Sequence, residues 1–396
     1  MGAISVEHVY KVFGKHPERA LDALRAGEDR DAVYEETGQF CAVNDVSFTV
    51  DPGDLFVIMG LSGSGKSTLV RMINRLHDPT AGTVYIGDED ISTLNSKALR
   101  DLRARKISMV FQTFALFPHR SVLDNAAYGL EVQRVDRDER RERAAKALEM
   151  VGLSGWEDRM PKQLSGGMRQ RVGLARALAT EADIMLMDEP FSALDPLIRR
   201  DMQAQLIELQ QELQRTIVFI THDLNEAMRL GDRVAVMKAG VIVQNDTPEA
   251  ILHKPADDYV AEFIQDVDRS RILTASAVMR DPVAVLSPRH GPKVALRELE
   301  EHQRNELYVV DQQRLVGAVR DRELAEAASR GDSTIEGCVH DDYPRAAPDT
   351  PIAELLQPAA KYEIPVAVVE EDRLVGVVPR ALLLGALGSP EEASGA

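Results

Sequence analysis

Four short runs of this chain are apolar at every position: Leu55–Met59, Ile184–Met187, Ile217–Ile220 and Val234–Met237. Unbroken apolarity over four or five residues predicts strands buried on both faces, the pattern of a parallel sheet. The first run ends at a glycine-rich loop, the transition from a buried strand into a helix. Between the second and third runs, Ile198, Met202, Leu206, Leu209 and Leu213 recur at helical spacing and mark one apolar face. The expected core is therefore a doubly wound α/β sheet. Upstream, Val6–Phe13 and Ala42–Val50 read as strands. Residues 15–39 between them read as an inserted helical pair, with Ala20, Leu21, Leu24 and then Ala32, Val33 and Tyr34 set among charged residues.

Beyond about residue 266 the pattern changes and an internal repeat begins. Val309-Val-Asp-Gln-Gln-Arg-Leu-Val-Gly-Ala-Val319 returns as Val368-Val-Glu-Glu-Asp-Arg-Leu-Val-Gly-Val-Val378. Each copy places two strands around a short polar turn, and a helix-like stretch follows, Glu323–Ala328 and then Ala381–Leu387. The repeat divides the chain into residues 1–265, 266–329 and 330–388. Residues 389–396, rich in Ser, Gly and Glu, read as a disordered tail.

Composition narrows the function classes. At 396 residues the chain exceeds what one core usually serves, so several domains are expected. No apolar run approaches the roughly 18 residues that span a bilayer. The first residues lack a basic start followed by an apolar stretch, so no export is expected. Cys41 and Cys338 stand far apart, without metal-type spacing, which fits a reducing compartment. A net charge of -17 argues against a nucleic-acid binder, since phosphate-backbone binding rests on clustered Lys and Arg.

The candidate chemistry lies at the ends of the apolar strands. Gly60-Leu-Ser-Gly-Ser-Gly-Lys-Ser67 follows the first run. Successive backbone N–H groups of such a loop, with the helix N-terminus behind them, cradle phosphates. Gly60, Gly63 and Gly65 let the loop close, with Ser62 and Ser64 between them. Lys66 reaches the outer phosphates, Ser67 offers a hard oxygen to Mg²⁺, and Thr68 assists with the first phosphates. Asp188 ends a strand, where open α/β sheets place their ligand sites, and can hold Mg²⁺ through water. The adjacent Glu189 points elsewhere and is the general-base candidate. His222 stands at another strand end, where its resemblance to the switch histidine of a known ATPase family makes it the γ-phosphate sensor candidate, and the Gln112 amide oxygen can reach Mg²⁺ or water.

A second small-residue helix start, Leu164-Ser-Gly-Gly-Met-Arg-Gln170, offers Ser165, Gly166 and Gly167 as another anion cradle. The fixed order of these elements, with Ser192-Ala-Leu-Asp195 before His222, resembles the nucleotide-binding subunits of ABC transporters. That resemblance implies ATP with Mg²⁺ as cofactors. It also implies a head-to-tail homodimer in which Ser165, Gly166, Gly167 and Asp195 meet the partner copy's ATP. For the base-stacking aromatic it suggests Phe13, with Tyr10 as the alternative and a plain core aromatic as a third reading. The implied fold is an ABC-type P-loop NTPase domain with a helical subdomain, and the repeat resembles a tandem pair of CBS motifs.

Closer likeness is carried by Phe56–Thr68, Ile73–Leu76, Met109–His119, Leu164–Leu178 and Phe191–Ile198, together with the insert and the repeated tail. These resemble the ATPase of glycine betaine/proline importers over nearly the whole chain. The resemblance implies a peripheral subunit on the cytoplasmic face of the cell membrane, working with integral membrane permease subunits and an extracytoplasmic substrate-binding protein. Choline, carnitine and proline betaine stay open as solutes. At the repeat, an ionic or a nucleotide effector and a purely structural dimerisation role all stay open. Nucleotide-binding CBS motifs follow their last strand with Thr or Ser and an Asp three residues on. Here Arg320 and Glu323 stand in one copy, Pro379 and Leu382 in the other.

Overall fold

A computed structural model describes residues 2–112, 115–192, 194–265 and 267–387. Two compact units emerge, Met1–Ile264 and Gln265–Ala396, so the structural division falls one residue before the expected one. The proposed tail, 389–396, lies outside the described residues.

In the first unit the four apolar runs form neighbouring strands of one six-stranded sheet. Its order is Val241–Asp246, Arg233–Lys238, Leu55–Met59, Thr216–Thr221, Ile184–Asp188 and Ile107–Val110. Every ladder is parallel except the edge pair Val241–Asp246 with Arg233–Lys238. Leu55–Met59, Ile184–Asp188 and Thr216–Thr221 are buried at every position, which is why their sequences show no alternation.

A four-stranded antiparallel sheet, ordered Phe40–Val50, Ile4–Phe13, Ala81–Ile86 and Glu89–Asp90, shares the main core. Phe48 of that sheet stacks on Phe56 of the other at 4.9 Å, with the rings 4° from parallel. A helical group, Val122–Ala126, Tyr128–Val132, Arg137–Met150 and Gly166–Ala179, packs within the same unit.

The insert is a helical pair, Pro17–Arg25 and Arg30–Thr37. Asp29 caps the second helix by accepting from Asp31 N–H at 2.8 Å and Ala32 N–H at 3.2 Å, and Gly38 ends it at φ 67°. The pair builds its own small core from Tyr10, Val12, Ala20, Leu21, Leu24, Val33 and Cys41. Ala32 and Tyr34, counted above among its apolar positions, are exposed; only Val33 of the second helix is buried. The strand after the insert starts at Phe40, two residues earlier than its hydrophobic pattern suggests.

The second unit is a six-stranded sheet with internal symmetry: Val285–Leu286, Glu306–Asp311, Arg314–Arg320, Arg373–Val378, Val366–Glu370 and Arg345–Ala346. Its two halves meet where Arg314 pairs with Arg373, the same position of the repeat in each copy. The helices after the hairpins span Asp321–Arg330 and Arg380–Leu387. Each half also carries a helix before its hairpin, Pro292–Glu301 and Ile352–Lys361, which the repeat did not announce. Among the described residues no helix is long and apolar enough to cross a membrane.

Candidate functional site

The glycine loop is held tightly enough that two of its glycines have no substitute. A Cβ on Gly60 would stand 2.1 Å from the Met237 carbonyl oxygen, and one on Gly65 2.2 Å from that of Ala42. Both lie at positive φ, 148° and 103°. Gly63, at φ 80°, has open space around it, so its need is conformational alone.

Lys66 opens the following helix, Lys66–Ile73, yet is only 5% exposed. Its ammonium donates to the carbonyls of Gly60 at 2.8 Å and Leu61 at 2.9 Å. Burial pulls its pKa down, and the carboxylates of Glu189 and Asp188 pull it back up. A buried cation with two backbone acceptors is a charge held ready for an anionic ligand.

Asp188 sits behind the loop, 2% exposed, at the end of its strand. Ser67 Oγ donates to its Oδ1 at 2.8 Å, while Arg71 lies 3.3 Å from Oδ2. The next residue diverges: Glu189 takes φ 46°, its N–H donates to the Ile220 carbonyl at 3.1 Å, and its side chain turns toward the loop. Glu189 Oε2 accepts from Gln112 Nε2 at 3.2 Å and lies 3.1 Å from His222 Nδ1. Two residues from two other strand ends therefore converge on one oxygen of the Glu189 carboxylate.

These groups surround a cavity of about 500 Å³, within the usual range for a small-molecule site. Ser62, Gly63, Gly65, Lys66, Ser67 and Thr68 form its floor, and Gln112, Glu189 and His222 one wall. Phe40 and Ala42 also line it. Ser64 is buried beneath the loop, with its hydroxyl oxygen lacking a hydrogen-bond partner.

The remaining expected residues stand elsewhere. Ser165 caps the helix Gly166–Ala179 by accepting from Met168 N–H at 3.3 Å and is exposed. Gly167 is pressed against Ile198: an added Cβ would lie 2.7 Å from its Cγ2. Asp195 precedes the helix Pro196–Leu213 and is also exposed. None of Ser165, Gly166, Gly167 and Asp195 lines the cavity within one chain.

Phe13 does not line it either; its ring meets His77 edge-on at 5.7 Å and carries Lys11 Nζ at 5.0 Å. Tyr10, the alternative, is 7% exposed within the small core of the insert. Phe40 escaped the sequence reading because it precedes the apolar alternation of its strand. The signal that could have found it is its position directly opposite Phe13 on the antiparallel ladder.

Known proteins share this arrangement. The ABC transporter family profile matches residues 43–192, and the CBS domain profile residues 275–330. The glycine betaine/carnitine transport ATP-binding protein GbuA of Listeria monocytogenes is 48% identical over 99% of both chains. The glycine betaine transport ATP-binding protein OpuAA of Bacillus subtilis is 47% identical, covering 98% of this chain and 93% of its own. Among solved structures, the dimeric post-hydrolysis state of the cassette MJ0796, bound to ADP and Pi, aligns with a TM-score of 0.53 at 33% identity. That alignment covers 62% of this chain and 98% of the cassette. With a phosphate loop, a strand-end carboxylate and a histidine around one cavity, and a second strand-end carboxylate hydrogen-bonded to the loop, this chain belongs to the ATP-binding subunits of ABC transporters, in the group that includes the glycine betaine transport ATPases.

Proposed function

We propose that this ATPase energises the uptake of glycine betaine and related compatible solutes, driving a membrane permease from its cytoplasmic face. The observation that carries the reading is full-length likeness to two glycine betaine transport ATPases, repeated tail included, around an intact hydrolytic set. Permease subunits supply the pathway across the membrane, and an extracytoplasmic binding protein delivers the solute. The carnitine in one relative's name keeps that solute as the second reading.

In hydrolysis the phosphate loop and Lys66 hold the triphosphate. Glu189 accepts the proton of a water whose oxygen attacks the γ-phosphorus, and the bond to the ADP oxygen breaks. His222 and Gln112 orient Glu189 and the terminal phosphate. Mg²⁺ would be held by Ser67, with Asp188 behind it and Gln112 alongside; two hard oxygens already 2.8 Å apart suit that ion. Bound there, it neutralises phosphate charge. Ser165 and Asp195 are exposed, Gly166 is half-buried and Gly167 buried, and all four lie away from the cavity of their own chain. They serve the site of a second copy in a homodimer, so that ATP closes the pair and hydrolysis opens it.

Residues 266–329 and 330–388 are two CBS motifs that adjust turnover to an ionic or nucleotide effector. The deciding experiment is ATP-dependent uptake of labelled glycine betaine into vesicles carrying this subunit, its permease and its binding protein, while internal salt is raised. Uptake above a salt threshold is expected. Working ATPase activity without betaine uptake under any salt condition would remove betaine as the solute.

A further inference from the structure

One side chain joins the segment proposed to face a second copy to the segment that holds His222. We infer that Arg199 is a positioning residue through which engagement of the second copy at Asp195 is transmitted to His222. This rests on the shared-site reading of Asp195 and on the cavity holding ATP.

Arg199 closes the first turn of the helix Pro196–Leu213, its N–H donating to the Asp195 carbonyl at 2.9 Å. Its guanidinium bridges two segments. Nη2 donates at 3.3 Å to the Leu194 carbonyl, which belongs to the same peptide unit as the Asp195 N–H. Nη1 donates at 3.3 Å to Oδ2 of Asp223, the residue after His222. A guanidinium is planar and rigid, so its two outer nitrogens keep a fixed separation and a shift of one acceptor is passed to the other. The remaining Nε is buried without a hydrogen-bond partner, so those two nitrogens carry all the hydrogen bonding of the group.

The residues on either side of His222 are fixed. Thr221, 2% exposed, accepts from Asp223 N–H at 2.9 Å, and Asp223 Oδ1 accepts from Glu226 N–H at 3.1 Å, capping the helix Leu224–Leu230. Gln203, one turn beyond Arg199, donates to buried Glu226 at 2.8 Å. The helices that follow Asp195 and His222 are therefore joined by two rungs, and of these only Arg199 also reaches Leu194. The turn from Glu189 to Leu194 completes a ring: Ser192 Oγ donates to the Glu189 carbonyl at 3.1 Å and Leu194 N–H to the Phe191 carbonyl at 3.2 Å. Glu189 and His222, 3.1 Å apart at Oε2 and Nδ1, are both connected to Leu194, one through the chain and the other through Arg199. A displacement at Leu194 keeps base and histidine in register only while Arg199 carries Asp223 along with it.

The test measures ATPase rate against ATP concentration for the full-length chain, with ATP affinity by titration calorimetry and the melting temperature alongside. Arg199→Lys keeps a cation for Asp223 but has no rigid fork to span both acceptors. It is expected to lower kcat about tenfold and bring the Hill coefficient toward one, with ATP affinity within about twofold of the parent. Asp223→Asn keeps an oxygen to cap the helix and removes the charge that Arg199 meets, and it should show the same losses. In the double variant the losses should not multiply, because both changes break one link. Gln203→Met removes the neighbouring rung and should lower the melting temperature while leaving the Hill coefficient as in the parent. Three outcomes overturn the assignment: Arg199→Lys that keeps the kcat and Hill coefficient of a cooperative parent, losses that multiply in the double variant, or a loss of cooperativity in Gln203→Met equal to that in Arg199→Lys. A parent that hydrolyses ATP without cooperativity removes the shared-site reading and this assignment with it, whereas a parent that binds no ATP removes the nucleotide reading itself.

Discussion

Replacing Glu189 by Gln isolates the proton-accepting step better than any other change in the cavity. The amide has the shape of the carboxylate and keeps one acceptor oxygen for Gln112 Nε2 and His222 Nδ1, now at 3.2 and 3.1 Å from Oε2. What disappears is a negative charge and the ability to take a proton. A positioned general base is worth about 10²- to 10⁴-fold in rate, or roughly 3–5 kcal/mol of barrier at 1.36 kcal/mol per decade. Stability should move by less than about 1 kcal/mol, because shape and hydrogen bonding survive and no buried partner is orphaned. ATP affinity should hold or tighten, since a carboxylate no longer faces the phosphates. Single-turnover phosphate release measures the rate, calorimetric titration the affinity, and gel filtration with ATP the accumulation of a closed dimer. Turnover within tenfold of the parent, in a variant that melts normally, would refute Glu189 as the base.

Gly65→Ala forces a Cβ to 2.2 Å from the Ala42 carbonyl at φ 103°, so the loop must distort, and ATP affinity should fall more than about tenfold; unchanged affinity by titration would mean the loop does not hold the phosphates. Ser165→Ala removes the oxygen that caps Met168 N–H, costing about 1 kcal/mol of helix stability. It should leave ATP binding by the single chain intact while the Hill coefficient of hydrolysis falls toward one. Undiminished cooperativity would sink the shared-site account. Glu226 is 6% exposed and takes Gln203 Nε2 at 2.8 Å; burial raises its pKa. A folded pKa above the unfolded value of 4.5 gives a contribution fully present below pH 4.5 and lost as pH rises through the folded pKa. Glu226→Gln should therefore raise the melting temperature at pH 8 relative to the parent, and the gain should vanish near pH 4. A pH-independent difference would contradict this.

The sequence announced the main sheet because burial on both faces leaves apolar runs with no polar interruption, as at Leu55–Met59 and Ile217–Ile220. Strand ends then located Asp188, Glu189 and His222, since open α/β sheets collect their ligand groups there. What stayed hidden depends on three-dimensional approach. Phe40 is exposed and carries no periodic signature; its place in the cavity comes from a strand anchored against the phosphate loop at Ala42 and from Gln39, whose Nε2 donates to the Thr37 carbonyl. Phe13 has the expected spacing, and its ring meets His77 edge-on. The roles proposed for Ser165 and Asp195 concern a second copy, which no single chain can display. In the repeat, the hairpins were legible from matching residues, whereas Pro292–Glu301 and Ile352–Lys361 share too few letters to announce themselves.

The backbone of Glu189 carries a consequence for how such a chain changes over generations. At φ 46° a residue with a Cβ pays roughly 1–2 kcal/mol that glycine would not, and asparagine less. Every mutation from Glu189 to either residue therefore offers the fold a small gain while ending the proton abstraction proposed for this side chain. A lineage relieved of the demand for turnover would drift toward stable, ATP-gripping relatives that no longer hydrolyse. A glutamate in this position is thus a mark of continuing selection for work, held against the preference of its own backbone.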